Sequence, residues 1–225
     1  MQEISIAEAS RRVISNMPSV IDAIKLDILN YSSLAELIAG RVEKIIGRKA
    51  GVEAIKMALM RYSEDLKKDL SLTQDRVKKI IAGSVLELKN DLTLLTVKQS
   101  ELSGKIDLLF KSIPNFRFLQ LTQGTSTFNL IIDERGFDAV KKVVDVKGIM
   151  EVYRNQSAII LISPPEIIKT PGVVSHLLEL LARNNINITQ VISCHTDTVF
   201  LVDKKDALTT YRLLEDKIIS MRNMI

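Results

Sequence analysis

The sequence predicts an α+β protein in which a helical N-terminal domain precedes a strand-and-helix unit written twice. Three observations carry this. Residues 1–80 keep apolar side chains at three- and four-residue spacing, as amphipathic helices do. From Ser84 onward, β-rich runs alternate with helical stretches and turn residues. This second region also resembles itself at a shift of about 65 to 70 residues.

Composition narrows the class. The chain has 225 residues, 46% hydrophobic and 26% charged, a globular mixture and not that of a disordered or fibrous chain. Apolar runs such as 158–162 fall far short of the roughly 18 residues that span a bilayer. Residues 1–10 are polar and acidic and give no leader, so a cytoplasmic chain without membrane contact is expected. The single cysteine, Cys194, excludes an internal disulfide and a cysteine-based zinc site. Only His176 and His195 are available as imidazole ligands, so no metal and no cofactor is expected. The formal net charge is +4. Residues 1–80 hold 14 Lys/Arg against 11 Asp/Glu, a net of +3, which permits nucleic-acid contact without demanding it.

The elements follow in order. Ser5 stands three residues before Glu8 in capping-box form, and the helix it opens runs to about Asn16. Pro18 opens a second helix with Ile21, Ile24 and Ile28 on its apolar face. Ser33 starts a third, through Leu34, Leu37, Ile38, Val42 and Ile45, that stops at Gly47. A fourth spans 50–66, and the charged spacer over 66–79 is helical, either its continuation or a short linker helix. Beyond it, 85–88 and 92–97 flank Lys89, Asn90 and Asp91, a hairpin signal. A helix over 100–113 follows, then strands 116–123 and 127–132 joined at Gly124, a helix over 137–144, and strands 149–153 and 158–162 around Asn155 and Gln156, again a hairpin.

The repeat sets Gly83 on Gly148, Asn90 on Asn155 and 92–97 on 157–162. After an insertion of about five residues over 165–169, the longer shift sets 115–120 on 185–190 and Asp133 on Asp203. Each copy reads βαββα, completed by a strand from the neighbouring boundary. That order puts helices on one face of a mainly antiparallel sheet, a ferredoxin-like arrangement of βαββαβ units. The domain reading is 1–80 helical with a linker helix, 84–153 the first unit and 154–225 the second.

The second copy carries the most specific pattern. Residues 159–174 run from an apolar strand into Thr170, Pro171, Gly172, Val173 and Val174; residues 184–188 read Asn-Asn-Ile-Asn-Ile. This resembles the ACT domain, most closely the regulatory ACT domains of aspartokinases. The likeness is good over 157–219 and weaker over 85–156, where residues 100–105 lack the Thr-Pro-Gly turn. The resemblance implies two tandem ACT units that assemble a homodimer or higher homo-oligomer through their sheets. It implies an amino-acid effector held by Thr170, Pro171, Gly172, Val173 and Val174 on the turn and by Asn185, Ile186 and Asn187 on the step. The physical case for the turn stands on its own: Pro171 fixes φ, Gly172 is permissive, and the helix N-terminus offers N–H groups to a carboxylate. The plainer alternative is a turn that only connects, with Asn185 as a cap.

Residues 14–65 are similar to the N-terminal segment of archaeal ACT-containing predicted regulators of amino-acid metabolism, a segment that resembles a helix-turn-helix. That likeness implies a recognition helix over 50–66 and makes Arg48, Lys49, Lys56 and Arg61 candidate phosphate contacts on DNA. Glu53, Glu64 and Asp65 on the same helix point to a solvated face instead.

No enzyme is read. The Lys-Phe-Gly-Gly type of signature that aspartokinase catalysis would need does not occur, nor does a P-loop. Cys194 and His195 are adjacent on a strand and point to opposite faces, so no Cys-His nucleophile forms and no catalytic residue is assigned. Cys194 is expected as a small buried hydrophobe and His195 as a turn or interface group. The expected function is a non-enzymatic regulator of amino-acid metabolism that senses a small effector, with DNA as one output. The alternative is a protein-interaction or enzyme-regulatory subunit whose ACT units only assemble it.

Overall fold

The computed structural model describes residues 4–112, 117–134 and 136–225, and for 68–73 the backbone alone. The chain divides into two compact units, Met1–Arg76 and Val77–Ile225. In order, its helices and strands are α1 (Ile6–Ser15), α2 (Pro18–Lys25), α3 (Tyr31–Ile46), α4 (Val52–Gly83), β1 (Val85–Lys98), α5 (Gln99–Leu102), α6 (Ile106–Ser112), β2 (Leu119–Gln123), β3 (Thr127–Asp133), α7 (Gly136–Val143), β4 (Ile149–Ile162), α8 (Val173–Arg183), β5 (Ile188–Cys194), β6 (Asp197–Asp203) and α9 (Ala207–Arg222).

The first unit is helical because each start has its cap. Ser5 Oγ accepts from Glu8 N–H at 3.1 Å. Pro18 is the first residue of α2. Asn30 caps α3 by accepting from the N–H of Ser32 and Ser33, both at 3.1 Å, so α3 begins at Tyr31 and not at Ser33. The apolar faces meet in a core of Ala9, Ile14, Ile24, Ile38, Ile55 and Leu59, among others. Of the two readings of the charged spacer, continuation holds: α4 runs for 32 residues to Gly83, and its last turns, from Val77, belong to the second unit.

The second unit is a six-stranded antiparallel sheet in the order β2-β3-β1-β4-β6-β5. The two hairpins read at Lys89–Asp91 and Asn155–Gln156 are not hairpins. The chain runs straight through both, and β1 and β4 are each 14 residues long. Asp91 and Asn155 take the left-handed conformation, φ 62° and 55°. Between Lys89↔Ala158 and Leu92↔Gln156, β1 carries one extra residue; between Leu92↔Gln156 and Leu94↔Tyr153, β4 does. Asn and Asp tolerate the left-handed region that a turn uses, and a bulge uses it as well. The sequence signal was real and its outcome different.

Each bulge divides its strand between two halves. The second part of β1, Leu92–Lys98, pairs with β3, and its first part, Val85–Lys89, pairs with the end of β4. The end of β4 pairs with β6. The strand read as the start of the first unit is therefore an outer strand of the second half, paired with β4, which in turn pairs with β6. The bulge also moves the side-chain alternation by one position. Leu86 and Leu88 pack with Ile159, Leu161, Phe200 and the helices α8 and α9. Leu95 and Val97 pack with Leu130, Leu109 and Val140 under α6 and α7.

The helix-free face is buried too. Leu92, Leu94 and Ile131 from one half meet Ala158, Ile160 and Leu201 from the other, with no helical residue among them. The sheet curls, and its inner face closes on itself. At the junction with α4, Arg222 donates from Nε to Ala82 O at 2.7 Å and from Nη2 to Ser84 O at 2.9 Å, a cation on carbonyls that a helix end leaves without partners.

Candidate effector site

The turn is built as the sequence suggests. After β4, a short 3-10 helix covers Pro165–Lys169, and Thr170 Oγ1 closes it by donating to Glu166 O at 2.8 Å. Gly172 stands at φ 95°, a conformation that a side chain would strain. It is the N-cap of α8, and no side chain caps that helix. The first intrahelical bond is His176 N–H to Gly172 O at 2.9 Å, so the N–H groups of Val173, Val174 and Ser175 have no acceptor within the helix. Val173 is 1% exposed and anchors the turn to the core, while Pro171 and Gly172 are exposed. An atom added at Gly172 would sit 3.7 Å from Val77 Cγ2, so the turn rests on the core without being filled by it.

The step lies elsewhere. The eleven residues of α8 run from Val173 to Arg183, a rise of about 15 Å between its ends at 1.5 Å per residue. Thr170, Pro171, Gly172, Val173 and Val174 form one locality; Asn185, Ile186 and Asn187 form another at the far end of the helix. A single copy does not bring them together. Asn185 has its own work: it is left-handed at φ 59°. Its N–H reaches Ala182 O at 3.0 Å, and the N–H of Ile186 reaches Leu181 O at 3.0 Å, the paired bonds that close a helix C-terminus.

Sequence reasoning missed a cavity at one end of the inner sheet face. Its volume is about 570 Å³, and its wall includes Thr96, Asn129 and Glu151 from the first half and Gln156, Asn187 and Gln190 from the second. Asn129 Oδ1 and Gln190 Oε1 are buried and, among the described residues, accept no hydrogen bond. Leaving such a group unpaired costs about 1–3 kcal/mol. The signal was present as polar residues on strands, but only the register shows them facing inward: Asn129 stands opposite Thr96, and Gln190 stands opposite the core residue Leu201.

The other candidates scatter. Arg48 and Lys49 lie in the loop after α3. Lys56 Nζ is 3.2 Å from Glu53 Oε1. Lys56 and Arg61 are five residues apart on α4, about 140° around a helix of 3.6 residues per turn. Cys194 is exposed, not buried, at the end of the edge strand β5. His195, at φ 55°, lies in the two-residue loop between β5 and β6. Among the described residues no group of three or more His, Cys, Asp or Glu is placed to hold a metal ion, and no helix is long and apolar enough to cross a membrane. Asn115 and Phe116, part of the repeat alignment, lie outside the described residues, as does the predicted helix end at residue 113.

An antiparallel sheet with helices on its outer face, written twice with exchanged strands, defines the class as an α+β module of duplicated halves. Residues 151–216 match the family model described as the ACT domain, and the chain carries an ACT domain there. By structure, it resembles the aspartate kinase of Clostridium acetobutylicum at TM-score 0.51 and 14% identity, over 59% of this chain and 34% of that one. Aspartokinase III of E. coli, in complex with aspartate and ADP, is similar at TM-score 0.49 and 18% identity, over 60% and 33%. The regulatory subunit of aspartate kinase from Thermus flavus is similar at 0.49 and 12%, over 62% and 99%. The match thus spans about a third of the length of the two kinases. No curated protein matches the sequence at a significant level.

Proposed function

We propose that the chain is a non-enzymatic, cytoplasmic regulator that senses an amino acid through its ACT halves, folded as two ferredoxin-like units with exchanged outer strands. One observation carries the reading: within the ACT-matched segment, Gly172 at φ 95° leads an uncapped α8 whose first N–H groups have no intrahelical acceptor. Such a terminus holds a carboxylate through N–H donors and the helix dipole. The Clostridium protein of similar fold is described as an allosteric enzyme, and effector-driven change is the property carried over here. Because the turn and the Asn185–Asn187 step lie at opposite ends of α8, a site using both joins two copies. An effector bound in this way favours the dimer only as far as its affinity for that arrangement exceeds its affinity for others. The helical unit is the output module, toward DNA or a partner enzyme.

A thermal-shift screen of the full chain against the twenty amino acids tests this. At a hundredfold excess over Kd, a true effector adds about 2.7 kcal/mol and raises Tm by roughly 5–10 °C. Gly172→Val removes the shift. The rival reading, in which the sheets only assemble copies, draws on β2 and β5, which end the sheet and, among the described residues, have no partner strand on their outer sides. It prevails if none of the twenty shifts Tm while the chain still associates.

A further inference from the structure

We propose that α4 reads the state of the Thr170–Val173 turn and carries it out of the second half, with Val77 as the positioning residue. This route rests on the effector reading of the turn and adds to it the element through which the turn acts.

The segment that bears the turn is strung between two points of one helix end. Where the segment begins, Pro164 lies against Gly83: a Cβ added at Gly83 would come within 2.8 Å of Pro164 Cγ. Where it ends, Val77 lies under Gly172, with Val77 Cγ2 3.7 Å from the position of an added Cβ. Val77 and Gly83 are six residues apart on α4, about 9 Å along its axis. Ile167 and Val173, from the same segment, share one core with Val77, Ile80 and Ile81. The turn therefore rests on α4 at both ends.

The two points are held differently. Near Gly83 the contacts are polar and directional. Ser84 Oγ donates to Ile80 O at 2.7 Å and shares a hydrogen bond of 3.0 Å with Ser163 Oγ, both serines being buried. Arg222 adds its bonds to Ala82 O and Ser84 O. At Val77 the contact is apolar packing. The first point is a pivot and the second a lever. A close-packed core passes a shift on instead of absorbing it, so a ligand that moves Gly172 moves Val77.

The helix end leads outward without a break. α4 runs from Val52 to Gly83, and it supplies Ile55 and Leu59 to the core of the first unit as well as Val77, Ile80 and Ile81 to that of the second. In the first half, the counterpart of Gly83 is Gly148, which ends a three-residue 3-10 helix instead. The exit belongs to the half that carries the turn.

Hydrogen exchange of the full chain, read by mass spectrometry with no amino acid present, tests the route. Gly172→Val sets side-chain atoms against Val77. The expected result is faster exchange over 77–83 and, by roughly 2- to 30-fold, over 52–66. Leu130→Ala, in the core under α6 and α7, leaves 52–66 as in the wild type. With two glycines inserted after Gln74, Gly172→Val still speeds exchange over 77–83 and no longer changes 52–66. Gly172→Ala, a milder strain at the same φ, shifts 52–66 less and in the same direction, and it stands in if the valine variant does not fold. The proposal is overturned if 52–66 is unchanged in both Gly172 variants, if Leu130→Ala changes it as much, or if the response survives the glycine insertion. Because no effector is used, these outcomes judge the α4 route alone. The thermal-shift screen judges the effector reading, and either can fail without the other.

Discussion

The two halves of the sheet share one frame and differ at the entrance to their first helix. In the first half, β1 runs directly into the four-residue α5 and then α6. In the second, β4 is followed by five 3-10 residues, the Thr170-Pro171-Gly172 turn and the eleven-residue α8. The frame itself is conserved between them down to close contacts. A Cβ at Gly83 would come within 2.8 Å of Pro164, and one at Gly148 would overlap the Glu101 side chain. Asp133 and Asp203 end β3 and β6, and each accepts from backbone N–H beyond its strand, Gly136 and Lys205. The difference teaches that duplication kept what the fold needs and that the inserted segment built the exposed turn.

Strand sharing makes the largest effects common to both halves. Phe200→Ala empties a fully buried site and should cost about 3–5 kcal/mol. Its counterpart Leu130→Ala should cost about 2–5 kcal/mol. Because β1 and β4 belong to both halves, denaturant melting followed by circular dichroism should show residues 77–225 losing structure in one transition for either variant. A separate early transition for one half would break the comparison. Next in size, Gly83→Ala and Gly148→Ala should each cost about 1–3 kcal/mol through crowding at equivalent points; a cost at only one of them would show that the frame is less symmetric than its contacts suggest.

Smaller effects probe the bulges. Asn155→Val places a branched side chain at φ 55° and should cost about 1–2 kcal/mol, while Asn155→Gly should be nearly neutral. The smallest effect belongs to Asp91 in the other bulge. Its Oδ1 accepts from Lys204 Nζ at 2.6 Å, and this hydrogen bond and charge hold the carboxyl below its ordinary range. A lowered carboxylate pKa contributes stability that is full above the unfolded value, about 3.9, and is lost as pH falls through the folded one. Acid titration of Tm should therefore show a slightly steeper fall in the wild type than in Lys204→Ala, and the two should converge at the acid end.

Much of this was legible in the sequence and some could not have been. Caps such as Ser5 and the start at Pro18 are local, so residue order reveals them. The repeat was visible because Gly83, Gly148, Asp133 and Asp203 answer to backbone needs that both halves share. The bulges were misread because Asn and Asp at positive φ serve hairpins and bulges alike, and only long-range pairing decides between them. The opposite-end placement of Gly172 and Asn185 follows from the length of α8, and could have been computed from its eleven residues. The cavity could not: it depends on Asn129 and Gln190 facing each other's half across a curled sheet, which no local pattern encodes.

The central claim is that the second half, and not the first, receives the effector. Amide spectra of the full chain, recorded during titration with each of the twenty amino acids in turn, test it most directly. The account predicts that at least one amino acid shifts the Val173 and Val174 amides and leaves those of Gln99–Leu102 in place. Shifts confined to Gln99–Leu102, or none at Val173 and Val174 with any of the twenty, would contradict it.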